Sequence, residues 1–106
     1  MEGNIIQTDT FDFEDRIEEG IALVYFYDHM DIQCRGFEYI MEEVASELGE
    51  DVRVLSVDIE QSPELAYRYD VQTVPYVLLF KNGTAVDGAE GANLPSVYCD
   101  MAESYM

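Results

Sequence analysis

The chain has 106 residues, 48% hydrophobic and 12% aromatic, which is enough apolar material for a packed core and excludes a disordered segment. Its formal net charge is -18, from 23 acidic residues against 5 basic ones; that field argues against nucleic acid and anionic membranes as partners and favours a basic protein or peptide. No apolar run approaches the roughly 20 residues needed to span a bilayer, and Met1-Glu2-Gly3-Asn4 shows neither a basic nor an apolar leader region, so one soluble cytoplasmic domain over 1–106 is expected.

Asn4 to Gln7 is short enough only for a brief strand. Asp9 or Thr10 offers an N-cap to a helix reaching about Glu19, with Phe13 and Ile17 stacked at i, i+4 and Gly20 as the stop. Ile21 to Asp28 is continuously apolar and aromatic, the pattern of a strand buried on both faces. From about Gln33 to Leu48, Phe37, Ile40, Met41, Val44, Ala45 and Leu48 recur with helical spacing on one face, and Glu38, Glu42, Glu43 and Glu47 occupy the other. Gly49 ends that helix.

Val52 to Asp58 forms the next strand, and Ser62-Pro63 opens a short helix with Leu65, Ala66 and Tyr69 turned inward. Tyr67 and Tyr69 beside Arg68 are expected to pack rather than to form a platform. Tyr76 to Lys81 and Thr84 to Ala89 are strands joined by Asn82-Gly83, a pair suited to a type I′ hairpin because both residues need positive φ. Asn93-Leu94-Pro95 starts the last helix, presenting Leu94, Val97, Tyr98, Met101 and Tyr105. The order β-α-β-α-β-α-β-β-α implies an α/β fold, a central mixed sheet with helices on both faces.

The chemistry-bearing residues gather after the second strand. Asp31-Ile32-Gln33-Cys34 sits at a strand-to-helix turn, where a C-x-x-C redox pair would be expected, but an aspartate stands in place of the first cysteine. Aspartate is a good N-cap, and that is the simplest role for Asp31. His29, Asp31 and Cys34 are also ligand-type residues within six positions. One histidine and one nearby thiol make a poor zinc set, so neither metal nor cofactor is expected. Cys34 and Cys99 fall on different helices, which does not suggest a disulfide, and two cysteines suit a reducing compartment.

Taken in order, several motifs resemble the thioredoxin family over essentially the whole chain. They are Val24-Tyr25-Phe26-Tyr27, Cys34-Arg35, Val57-Asp58-Ile59-Glu60-Gln61-Ser62-Pro63, Val74-Pro75-Tyr76, Leu79-Phe80-Lys81-Asn82-Gly83 and Gly91-Ala92. The resemblance implies a thioredoxin fold with a cis bond before Pro75. It also implies a shallow groove formed by Met30, Val74, Pro75, Tyr76, Gly91 and Ala92, where the backbone of Val74 meets an extended segment.

By the same resemblance Asp31 stands where the nucleophilic cysteine would be, and Cys34 where the resolving cysteine would be. Tyr25 replaces the buried acid that moves protons, and Ser56 replaces its lysine partner. Met30 replaces a tryptophan, and Ile32-Gln33 a Gly-Pro. Thiol–disulfide exchange needs a thiolate to attack and a second thiol to resolve, and a carboxylate does neither. The expectation is therefore a redox-family protein with a degenerate site that binds a protein or peptide segment without dithiol turnover, as a monomer or weak homodimer. The alternative is a monothiol oxidoreductase using Cys34 as its catalytic residue, with an external thiol resolving the mixed disulfide. A third reading is a structural subunit whose groove or edge strand mediates self-association.

Overall fold

A computed structural model describes residues 5–106. β1 (Ile5–Gln7), β2 (Ile21–Tyr27), β3 (Val52–Asp58), β4 (Tyr76–Lys81) and β5 (Thr84–Glu90) form one sheet in the order β1-β3-β2-β4-β5. β1 and β2 run parallel to β3, while β4 is antiparallel to β2 and β5 to β4. This is the mixed sheet expected from the element order, with the hairpin supplying the antiparallel edge. Asn4, the first residue of the expected opening strand, lies outside the described residues.

Alternate residues of β2 feed two cores. Leu23 and Tyr25 face α2 (Phe37–Leu48) and α4 (Pro95–Glu103), packing with Phe37, Met41, Val44 and Tyr98. Ala22, Val24 and Phe26 face the other way, toward α1 (Phe13–Ile17) and α3 (Pro63–Arg68), with Phe13, Leu65 and Phe80. Because both faces are covered, β2 carries no polar alternation, as its sequence indicates.

Several boundaries differ from expectation. α1 is shorter than the stretch to Glu19. Asp9 caps the preceding turn through Phe11 N and Asp12 N, and Gly20 takes φ 72° beyond the helix. The helix expected from Gln33 is interrupted: Ile32–Cys34 form a 3₁₀ turn, Arg35 is extended, and Gly36 is left-handed at φ 80° before α2 begins. Ser62 precedes α3 but makes no side-chain cap bond. On α4, Leu94 and Val97 are exposed rather than inward, and Cys99 and Ala102 join Tyr98 in the core. Tyr69 packs on Phe13 and Phe80, whereas Tyr67 points to solvent.

The hairpin follows expectation, with Asn82 at φ 49° and Gly83 at φ 86°. The Asn82 side chain also accepts from Gly20 N at 2.8 Å, stitching the turn to the loop before β2. No helix among the described residues is long and apolar enough to cross a membrane.

Candidate functional site

The sheet register decides which residues meet. Tyr27 pairs with Asp58 across β2 and β3, Phe26 with Tyr76 across β2 and β4, and Tyr76 with Glu90 across β4 and β5. The segments 28–36, 59–62, 74–75 and 91–93 therefore all leave the same end of the sheet. Residues far apart in sequence converge there because the strands end in step.

The turn after β2 is built from short-range bonds. Asp28 Oδ1 accepts from Met30 N at 2.9 Å, and Asp28 O accepts from Asp31 N at 3.0 Å. Asp31 Oδ1 accepts from Gln33 N at 2.7 Å, and its carbonyl accepts from Cys34 N at 3.0 Å. Asp31 is thus an N-cap, as its residue type indicates, but it caps the 3₁₀ turn rather than α2. The break at Gly36 separates Cys34 from the start of α2 at Phe37.

Cys34 is 9% exposed, and its Sγ accepts from Asp28 N at 3.5 Å. Burial pushes its thiol pKa up, and the carboxylates of Asp31 and Asp28 push the same way, outweighing the backbone bond that favours the thiolate. Beside it lies a cleft of about 270 Å³ lined by Tyr25, Tyr27, His29, Cys34, Arg35, Gly36, Glu38 and Tyr39. Both cysteines are free. Cys99 is buried on α4 and bonds Glu47 Oε2 at 3.1 Å; burial and that carboxylate push its thiol to about 12.

Tyr25 and Ser56 are direct cross-strand partners, both buried, and their side chains share a hydrogen bond. Burial and the nearby Glu38 raise the Tyr25 hydroxyl far above its ordinary value, so it stays protonated. Its ring packs edge-on against Phe37 at 5.7 Å.

The segments around Pro75 and Gly91, at the same end of the sheet, are held by backbone and by one tyrosine. The Val74–Pro75 bond is cis, Pro75 is buried, and Pro75 O accepts from Gly91 N at 2.9 Å. Val74 is half-buried, and among the described residues its main-chain groups enter no ladder or turn hydrogen bond. Tyr98, fully buried, donates its hydroxyl to Gly91 O at 3.0 Å and accepts from Asn93 N at 3.1 Å. A Cβ on Gly88 would come within 3.0 Å of the Tyr76 hydroxyl, so this glycine makes room for that ring. Ala92 is exposed, and Met30 and Ile32 are 70% and 75% exposed at the turn.

The register thus brings the expected residues Met30, Asp31, Cys34, Val74, Pro75, Tyr76, Gly91 and Ala92 to one sheet end. The ligand-type set His29, Asp31 and Cys34 does not assemble: among the described residues, the acidic side chains that gather around His29 are those of Asp28 and Glu60. His29 also bonds Asp58 Oδ2 through Nδ1 at 3.0 Å. That pair, the lining residues Tyr27 and Glu38, and the anchoring role of Tyr98 are additions that only the register shows.

The family model described as Thioredoxin matches residues 4–101. The chain belongs to the thioredoxin family. A thioredoxin of Staphylococcus epidermidis is 30% identical over 87 residues, covering 82% of this chain and 84% of the relative. One of Staphylococcus aureus is 29% identical with the same coverage. Among solved structures, a mutant thioredoxin from Halobacterium salinarum superposes with a TM-score of 0.87 at 25% identity, covering 96% of this chain and 90% of that one. A Malassezia sympodialis thioredoxin, at 20% identity, TM-score 0.84 and coverage of 96% and 90%, speaks for the fold alone. The thioredoxin fold and a place in this redox family follow.

Proposed function

We propose that this thioredoxin-family protein binds an extended protein or peptide segment in the groove beside Val74-Pro75 and does not carry out dithiol exchange. The observation that carries the reading is the state of the turn. At the position matching the family's nucleophile, Asp31 spends its carboxylate on Gln33 N, while the one thiol of the turn, Cys34, is buried and its pKa is pushed up. Exchange requires an attacking thiolate and a resolving thiol, and Cys34 is a single buried thiol in the resolving position. The Tyr25–Ser56 pair supports the same reading, because a hydroxyl kept protonated does not shuttle protons as a buried carboxylate does.

The groove side keeps what strand addition uses: free main-chain groups at Val74 beside an ordered wall at Gly91 and Ala92. The net charge of -18 favours a basic segment. The competing reading, a monothiol oxidoreductase, rests on the cleft that borders Cys34.

Titration of the labelled protein with disulfide-free extended peptides, one basic and one acidic, tests the proposal by amide shifts. The basic peptide is expected to move Val74, Tyr76 and Gly91, to bind equally well in Cys34→Ser, and to weaken as salt rises. Shifts that miss these amides, or capture that requires Cys34, would overturn it.

A further inference from the structure

Asp28, His29 and Glu60 come from the ends of two neighbouring strands, and each places a potential ligand atom within 4.8 Å of the other two. The group differs from a surface patch of acids in containing an imidazole and in having that imidazole oriented from below. Asp58, 5% exposed, accepts from His29 Nδ1 at 3.0 Å through Oδ2 and from Glu60 N at 2.9 Å through Oδ1. One buried carboxylate therefore fixes both the ring of His29 and the backbone that carries Glu60.

When Nδ1 donates its proton to Asp58, the lone pair lies on Nε2. A buried carboxylate that sets the tautomer and orientation of a histidine is the usual support behind metal-bound imidazoles. Among the described residues, no lysine or arginine forms an ion pair with Asp28, Asp58 or Glu60.

We propose that Asp28, His29 and Glu60 form a binding site for a divalent transition-metal ion of the zinc class, with Asp58 as the residue that positions His29. One nitrogen and two carboxylates select such an ion over calcium or magnesium, which take oxygen donors. Zinc holds such ligands at about 2.0–2.2 Å, which puts them about 3.4 Å apart in a tetrahedron. Glu60 is exposed, and a change of its rotamer would have to close the remaining gap. Three protein ligands leave a position for water or for a donor from a partner, on the rim of the cleft that His29 lines. This site does not depend on how the groove or Cys34 is used.

Calorimetric titration of the full chain with Zn²⁺, and separately with Ca²⁺, tests it, alongside the visible spectrum of the Co²⁺-loaded protein. The expected result is one Zn²⁺ site per chain, lost in His29→Ala and weakened about tenfold or more in Glu60→Gln and Asp58→Asn. Asp31→Asn and Glu42→Gln are expected to leave it in place. His29 is half-exposed, so His29→Ala folds and decides the matter even where Asp58→Asn melts early. Zn²⁺ binding unchanged in His29→Ala, or Ca²⁺ binding that matches Zn²⁺ in affinity and number, would reduce the group to the general acidic field and overturn the site.

Discussion

The two sides of this sheet end, the walls of the proposed groove, are held by different kinds of bonds. The 28–36 turn is closed mainly by hydrogen bonds reaching six residues or fewer, among them Met30 N to Asp28, Gln33 N to Asp31 and Asp28 N to Cys34. The 74–76 and 90–93 wall is tied across the sheet and into the core, through the β4–β5 ladder, Gly91 N to Pro75 O, and the buried Tyr98 hydroxyl. A turn closed by local capping tolerates a carboxylate at Asp31 without disturbing the sheet, because capping asks only for a short acceptor. A wall built from ladder and core admits few changes. Chemistry can thus change on one wall while shape persists on the other.

The largest expected effect tests the second wall. Tyr98→Phe removes a hydroxyl that serves Gly91 O and Asn93 N, costing these half-buried partners a bond each, at about 1–3 kcal/mol. Denaturant unfolding should show that loss, amide exchange at 91–93 should rise, and thiol labelling of Cys34 should not change. Labelling that speeds up as much as exchange would mean that the walls are not independent.

Next comes the first wall. Gly36→Ala places a Cβ in open space but at φ 80°, so its cost is backbone strain of about 1–2 kcal/mol. Unfolding curves measure it, and the groove amides of Val74 and Gly91 should keep their chemical shifts.

The smallest effect is a pH window. The Cys34 thiol is raised above its ordinary 9.0, so the unfolded chain loses this proton first. The stabilisation is complete below pH 9 and fades as pH climbs through the higher folded value. Melting curves between about pH 8 and pH 10.5 should fall less steeply for Cys34→Ala than for the wild type. Equal slopes would show that the turn does not hold the thiol protonated.

Much of this arrangement is legible in the sequence, for physical reasons that differ by element. β2 is legible because an apolar run covered on both faces has no other use, and the hairpin because Asn82 and Gly83 tolerate positive φ. The start of α2 is not, since the apolar spacing from Phe37 to Leu48 does not report a left-handed residue just upstream at Gly36. On α4, Leu94 and Val97 share a plausible stripe with Tyr98, and only packing against α2 selects the face with Cys99 and Ala102. The His29–Asp58 pair spans 29 positions and exists because Tyr27 and Asp58 are in register. Asp31 as a cap was readable from residue type alone, whereas the burial of Cys34 was not.

Dithiol-driven reduction of a protein disulfide by the wild type, Cys34→Ser and Asp31→Cys tests the proposed loss of exchange most directly. Wild type and Cys34→Ser should both stay near the uncatalysed rate, and Asp31→Cys should gain activity on the intact scaffold. Turnover by the wild type that disappears in Cys34→Ser would contradict the loss of exchange and make Cys34 a working thiol.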